Sequence, residues 1–136
     1  LKGGKPATVA CEPSSALRAF VETLVGRAEC LRHGRVDPKK DNMLLITTEG
    51  RLAALDMRLI DPKLPADPQG KVARCAAEVV RVWRETEGFS GTQLVFCDAS
   101  TPKAGGGFTV YGALRAALIA SGITAEQIAC VNRQRG

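Results

Sequence analysis

Four polar side chains follow closely after one strongly apolar run. Asp98, Ser100, Thr101 and Lys103 come directly after QLVFC and before the glycines 105–107. Hydroxyl groups, backbone N–H groups and an ammonium group are the donors that position a phosphodiester backbone. The same residues could form an ordinary solvated loop in which Ser100 and Thr101 only satisfy the backbone. The residue types therefore indicate a nucleic-acid contact, with a plain loop as the alternative.

Other chemistry is poorly supported by the sequence. The glycines lead from AGGG into FTVY, without the lysine and hydroxyl of a phosphate-binding GxxxxGK[ST] loop, and GxGxxG is absent. No GxSxG turn is present, and His33 is far from Ser100 and placed to end a helix. The five cysteines form no CxxC pair, so we expect no metal site.

Two apolar runs and the helix between them would position the polar residues. QLVFC and QIACV read as buried strands, and 108–121 reads as a helix, which together predict a right-handed βαβ unit with parallel strands. The carboxyl ends of parallel strands lie at one edge of a sheet. Asn132 and Arg133 would then lie at the same edge as Asp98 and its neighbours. A third run, TVAC, could be an edge strand.

Amphipathic spacing predicts helices upstream of this unit. Apolar residues recur at helical spacing from Ala16 to about Arg32, with Ser14 or Ser15 as cap. A charged linker, RVDPKKD, follows. We expect Asp41 or Asn42 to start a short helix at Met43, and Thr48 to cap a separate one over 50–60, because Gly50 disfavours one continuous helix. A third helix is expected over 71–87.

Composition narrows the class of protein. The 136 residues include 19 Lys and Arg against 14 Asp and Glu, a net charge of +5 with a pI near 9.2. This balance fits a nucleic-acid surface or, equally, a solvated basic surface without a partner. An odd number of cysteines without a secretion signal indicates a cytoplasmic protein, and no apolar run is long enough for a membrane span. A first residue other than Met and an end directly after a predicted strand suggest that both ends are cut.

Three consecutive blocks carry a resemblance to a known family. They are KPATVACEPSSALRAFVETLVGRAE, DNMLLITTEGRLAALDMRLIDP and KVARCAAEVVRVWRETEGFSGTQLVFCDASTP. Together they resemble the SNF2-like branch of superfamily 2 helicases, most closely the phage- and plasmid-borne proteins that join such a helicase to an adenine DNA methyltransferase. The resemblance extends from about Lys5 to Val131, and QLVFCDAST is similar to the family's motif IV.

The resemblance implies an α/β fold, a partial RecA-like second lobe with few parallel strands and several flanking helices. It implies a helical junction segment over 1–68 and the first part of the lobe over 69–136, forming one compact unit. Asp98, Ala99, Ser100 and Thr101 match motif IV at the nucleic-acid face, and Asn132 and Arg133 follow the next strand.

The implied function is that of a fragment of an ATP-dependent DNA helicase or translocase. ATP and Mg²⁺ would serve the intact parent, because the Walker lysine, the DExx box and motifs V and VI are not in this sequence. The expected partners are DNA, bound weakly, and the missing first lobe. The alternative is a non-enzymatic binding or dimerisation module, with a homodimer formed through an exposed strand edge.

Overall fold

The computed structural model describes residues 4–97 and 107–131, and over these ranges the chain is helical. The four α-helices are α1 (Ser15–Arg32), α2 (Met43–Leu55), α3 (Lys71–Glu85) and α4 (Val110–Ala120). Three single 3₁₀ turns lie at Met57–Leu59, Glu87–Phe89 and Ala125–Gln127. α1 packs on α2, and α3 packs on α4.

The expected α/β, RecA-like architecture is wrong for the described residues, which contain no β-strand. A strand exists only when its backbone groups bond to a neighbouring strand. None of the three runs that resembled strands, at 8–11, 93–97 and 127–131, pairs in this way. The predicted βαβ unit and its crossover are absent with them. An apolar run shows only that its side chains suit a strand. A sheet also needs a neighbouring strand, which the run itself does not specify.

The α1–α2 pair begins with two side-chain caps that the sequence predicts correctly. The Ser14 hydroxyl accepts a hydrogen bond from the Leu17 N–H at 3.2 Å, and the Asn42 side chain accepts one from the Leu45 N–H at 2.9 Å. His33 ends α1, also as expected. The predicted break at Gly50 is wrong: α2 runs through it, because Gly50 lies against Leu24, where close packing between the helices offsets its low helix propensity.

The α3–α4 pair encloses a small apolar core. Its buried members come from both helices and the turn after α4: Ala76, Val80, Leu118 and Ile123. Trp83 and Leu114 pack against this cluster. The spacing of these residues on α3 matches the predicted stripe, so periodicity placed this helix correctly. Among the described residues no side chain is less than 2% exposed, which makes the core shallow.

One contact links the turn after α2 to the start of α4. The Arg58 guanidinium carbon lies 4.4 Å from the centroid of the Phe108 ring, a cation–π arrangement. Over the described ranges, no helix combines the length and apolar character that crossing a membrane requires.

Candidate interaction surface

The 93–97 segment is held at both ends by side-chain hydrogen bonds. The Gln93 Nε2 group donates to the Val79 carbonyl of α3 at 2.9 Å. At the other end, the Tyr111 hydroxyl of α4 donates to the Cys97 carbonyl at 2.6 Å. The segment is therefore anchored to both helices of the α3–α4 pair.

Exposure alternates along this segment. Gln93 and Cys97 are half-buried, whereas Leu94 is 78% exposed and Phe96 is 88% exposed. Val95, between them, is 42% exposed. Alternation with a period of two is typical of an extended chain with one face on a core and the other in solvent. Two large apolar side chains thus project next to each other from the outer face.

The backbone between the two anchors has no partner within the described residues. The N–H and C=O groups of Leu94, Val95 and Phe96 form no hydrogen bond there. In an extended chain, the polar groups of alternate residues point to the same edge. Because the Cys97 carbonyl is turned toward Tyr111, the edge formed by Leu94 and Phe96 points away from α4. This free edge has the form of an unpaired edge strand.

A groove of about 300 Å³ runs between this segment and α3. Val9 and Cys11 also line this groove, so the predicted edge run at 8–11 lies next to α3 without pairing. Cys75 also lines the groove, where burial, and then neighbouring Cys97, raise the pKa of its thiol. The thiol is therefore neutral at physiological pH and contributes apolar surface.

A second exposed surface is positively charged. Arg32, Arg35, Lys39 and Lys40 are exposed, and their side chains form no ion pair within the described residues. We call these four the basic loop. From the sequence we predicted only a charged linker here, although four cations within nine residues indicate a basic surface.

A cluster of ion pairs around Arg27 lies beside the basic loop. Arg27 of α1 binds the Asp41 carboxylate through two nitrogens, at 2.7 and 2.8 Å, and also pairs with Glu49 of α2. These bonds raise the pKa of Arg27 and hold the pKa of Asp41 below its usual value. Arg27 thereby neutralises the charge of Asp41. Between Arg32 and Lys40, the acidic residue is Asp37.

The site residues predicted from the sequence lie outside the described residues. This holds for Asp98, Ala99, Ser100, Thr101 and Lys103, and equally for Asn132 and Arg133. Their nucleic-acid role stays a prediction. What is lost is the argument that parallel strands bring the two groups to one edge. The anchoring roles of Gln93 and Tyr111 could not be predicted from the sequence, because a single polar group gives no spacing signal.

Comparison with known proteins gives no family. No family model matches the chain, and no curated protein or solved structure matches it significantly. Within the described ranges, no group of three His, Cys, Asp or Glu side chains could hold a metal ion. Those ranges also contain no phosphate-binding loop that would fit ATP with Mg²⁺.

Proposed function

We propose that the chain is a non-catalytic docking module that binds an extended apolar segment by strand addition along 93–97. The observation that carries this proposal is the unpaired backbone of Leu94 to Phe96, held between two anchors with its apolar side chains exposed. In strand addition, main-chain hydrogen bonds supply affinity and alternate side chains supply selectivity. The five free thiols support a reducing, cytoplasmic setting.

The backbone geometry gives a specific test. At protein concentrations where the chain is monomeric, amide hydrogen exchange is measured with and without a synthetic peptide of alternating valine and threonine. We expect the amides of Leu94 and Phe96 to exchange more slowly with peptide, and that of Val95 to change little, because only the first two point to the free edge. A peptide methylated at its backbone nitrogens is the matched control, since it cannot donate. Unchanged exchange at saturating peptide would contradict the proposal.

A second candidate is contact with DNA, as expected of a translocase fragment, and the basic loop favours the DNA contact itself. Exposed cations without ion pairs bind phosphates and release counterions, so their affinity falls with salt. Lys39→Ser with Lys40→Ser should lower the slope of log K against log salt by about 2 for duplex DNA, at roughly 0.9 per phosphate contact. Lys63→Ser, at another exposed lysine, is the control. The predicted residues Ser100, Thr101 and Lys103, changed together to alanine, form the competing variant. If the triple alanine variant loses DNA binding and the Lys39→Ser, Lys40→Ser variant keeps it, the DNA contact lies outside the basic loop.

A further inference from the structure

We infer that the segment occupying the 93–97 edge is the same segment of a second copy, paired antiparallel about Val95. This inference rests on the proposed strand-addition function and names its partner. In this register the Leu94 side chain lies opposite Phe96 of the other copy at both ends of a two-fold pair, with Val95 opposite itself. Apolar side chains that lie opposite each other across two strands shield each other from water.

The free edge matches this register. Residues Leu94 and Phe96 have the N–H and C=O groups that point away from α4, and antiparallel pairing about Val95 joins Leu94 to Phe96 as a hydrogen-bonded pair. In this two-fold pair, each N–H and C=O group of Leu94 and Phe96 forms one hydrogen bond to the other copy. A self-complementary surface of this kind is what a two-fold interface requires.

Charge also favours a second copy. Residues 88–97 contain no Lys, Arg, Asp or Glu, although the whole chain has a net charge of +5. Two copies can therefore meet along this stretch without placing like charges opposite each other. A strongly acidic or basic partner strand would find no counter-charge on the outer face, which consists of Leu94 and Phe96.

The exposed area of the 93–97 segment limits how large the contact between two copies can be. The exposed parts of Leu94, Val95 and Phe96 amount to on the order of 400 Å² per copy, or about 800 Å² in total. This total lies in the range of weak, transient interfaces. We therefore expect a weak monomer–dimer equilibrium, in which the dimer forms only at high protein concentration.

Sedimentation velocity over a concentration series tests the inference. Leu94→Lys and Phe96→Glu should each raise the dimer dissociation constant about tenfold or more, because each places a charge opposite an apolar side chain at both ends of the pair. An equimolar mixture of the two variants should recover affinity to within about threefold of the original chain. In the mixed dimer one pair becomes Lys opposite Glu, and the other returns to Phe96 opposite Leu94. Leu44→Lys is the matched control, since Leu44 of α2 is 78% exposed, like Leu94.

The outcomes separate this inference from the proposed function. A chain that stays monomeric at all concentrations, but shows slowed exchange at Leu94 and Phe96 with the valine–threonine peptide, overturns the second copy and supports docking. A monomer without peptide protection overturns both. A dimer that Leu94→Lys and Phe96→Glu leave intact, or that their mixture does not restore, overturns this pairing. Restoration by the mixture, with Leu44→Lys unchanged, supports it.

Discussion

At the scale of single residues, the polar side chains mainly join neighbouring segments through hydrogen bonds and ion pairs. The Arg27 cluster joins the loop after α1 to α2, and Asp56 binds Arg58 beside the Phe108 ring. Burial alone would raise the pKa of Asp56, but hydrogen bonds from the side chain and backbone of Arg58 outweigh it and lower the pKa. These groups bond to one another and hold neighbouring segments together, so their effects should appear in stability.

Acid should weaken the fold through Asp41 in a defined direction. Its folded-state pKa lies below the ordinary value of 3.8 because Arg27 binds the ionised form. The carboxylate therefore contributes its full stabilisation above about pH 5, and the contribution declines below that and disappears as the pH falls through the lowered folded-state pKa. Asp41→Asn should lower the urea midpoint at pH 6 and flatten its decline between about pH 4 and pH 2. An equally steep acid decline in the variant would assign the effect to other carboxylates.

The hydroxyl of Tyr111 should matter more to the 93–97 segment than to the whole fold. Tyr111→Phe removes the hydrogen bond to the Cys97 carbonyl, which is worth about 1 kcal/mol. We expect a correspondingly small change in the free energy of unfolding, together with weaker peptide protection at Leu94 and Phe96. Ser121→Ala removes an exposed hydroxyl bond at the other end of α4 and serves as control. If Tyr111→Phe behaves like Ser121→Ala in peptide binding, the anchor has no role in docking.

At the scale of elements, helices were predictable and strands were not. The stripes of α1 and α3 and the caps Ser14 and Asn42 are local features, since a helix satisfies its backbone within one segment. The 93–97 segment has the composition of a buried strand, yet its outer face is exposed. Whether such a run pairs depends on a neighbour that no local pattern contains. The basic loop was predicted only as a charged linker, because three of its four cations follow the end of α1 and lie outside any periodic element.

Two helical glycines allow the α1–α2 contact to be measured. A Cβ at Gly26 would meet nothing within 4 Å, whereas one at Gly50 would lie 3.4 Å from Leu24 Cδ1. Gly26→Ala should stabilise the chain by about 0.5–1 kcal/mol through helix propensity alone. Gly50→Ala should give a similar or slightly larger gain, because the new methyl makes an ordinary contact with a buried leucine. Urea denaturation compares them directly. A net loss at Gly50 would mean that the two helices are too close for a methyl group.

At the scale of the whole molecule, buried residues fall into separate groups. Leu24, Ile46 and Ala53 belong to the α1–α2 pair, whereas the cluster around Leu118 belongs to the α3–α4 pair. The boundary predicted between residues 68 and 69 falls in the loop between α2 and α3 and stays a prediction. Since each pair has its own small core, we expect their unfolding to be only partly coupled.

The single tryptophan can test this coupling. Trp83 packs against the α3–α4 core, so its fluorescence follows that pair, whereas far-UV circular dichroism follows all helices. Leu118→Ala should lower the Trp83 midpoint by the equivalent of about 2–5 kcal/mol. Ile46→Ala, a similar truncation in α2, should move part of the dichroism transition and leave the Trp83 midpoint nearly unchanged. Equal shifts of both signals in both variants would show one cooperative unit instead.

The exposed 93–97 segment also has a consequence for the lifetime of the chain. Endopeptidases bind their substrates as extended strands, and exposed segments without backbone partners are where they cut first. The free edge at Leu94 and Phe96 already has that form, with two side chains that chymotrypsin-like enzymes prefer. A bound strand would cover the same groups that a protease needs. If a strand occupies this edge as proposed, we expect the chain to be cut there more slowly than the free monomer.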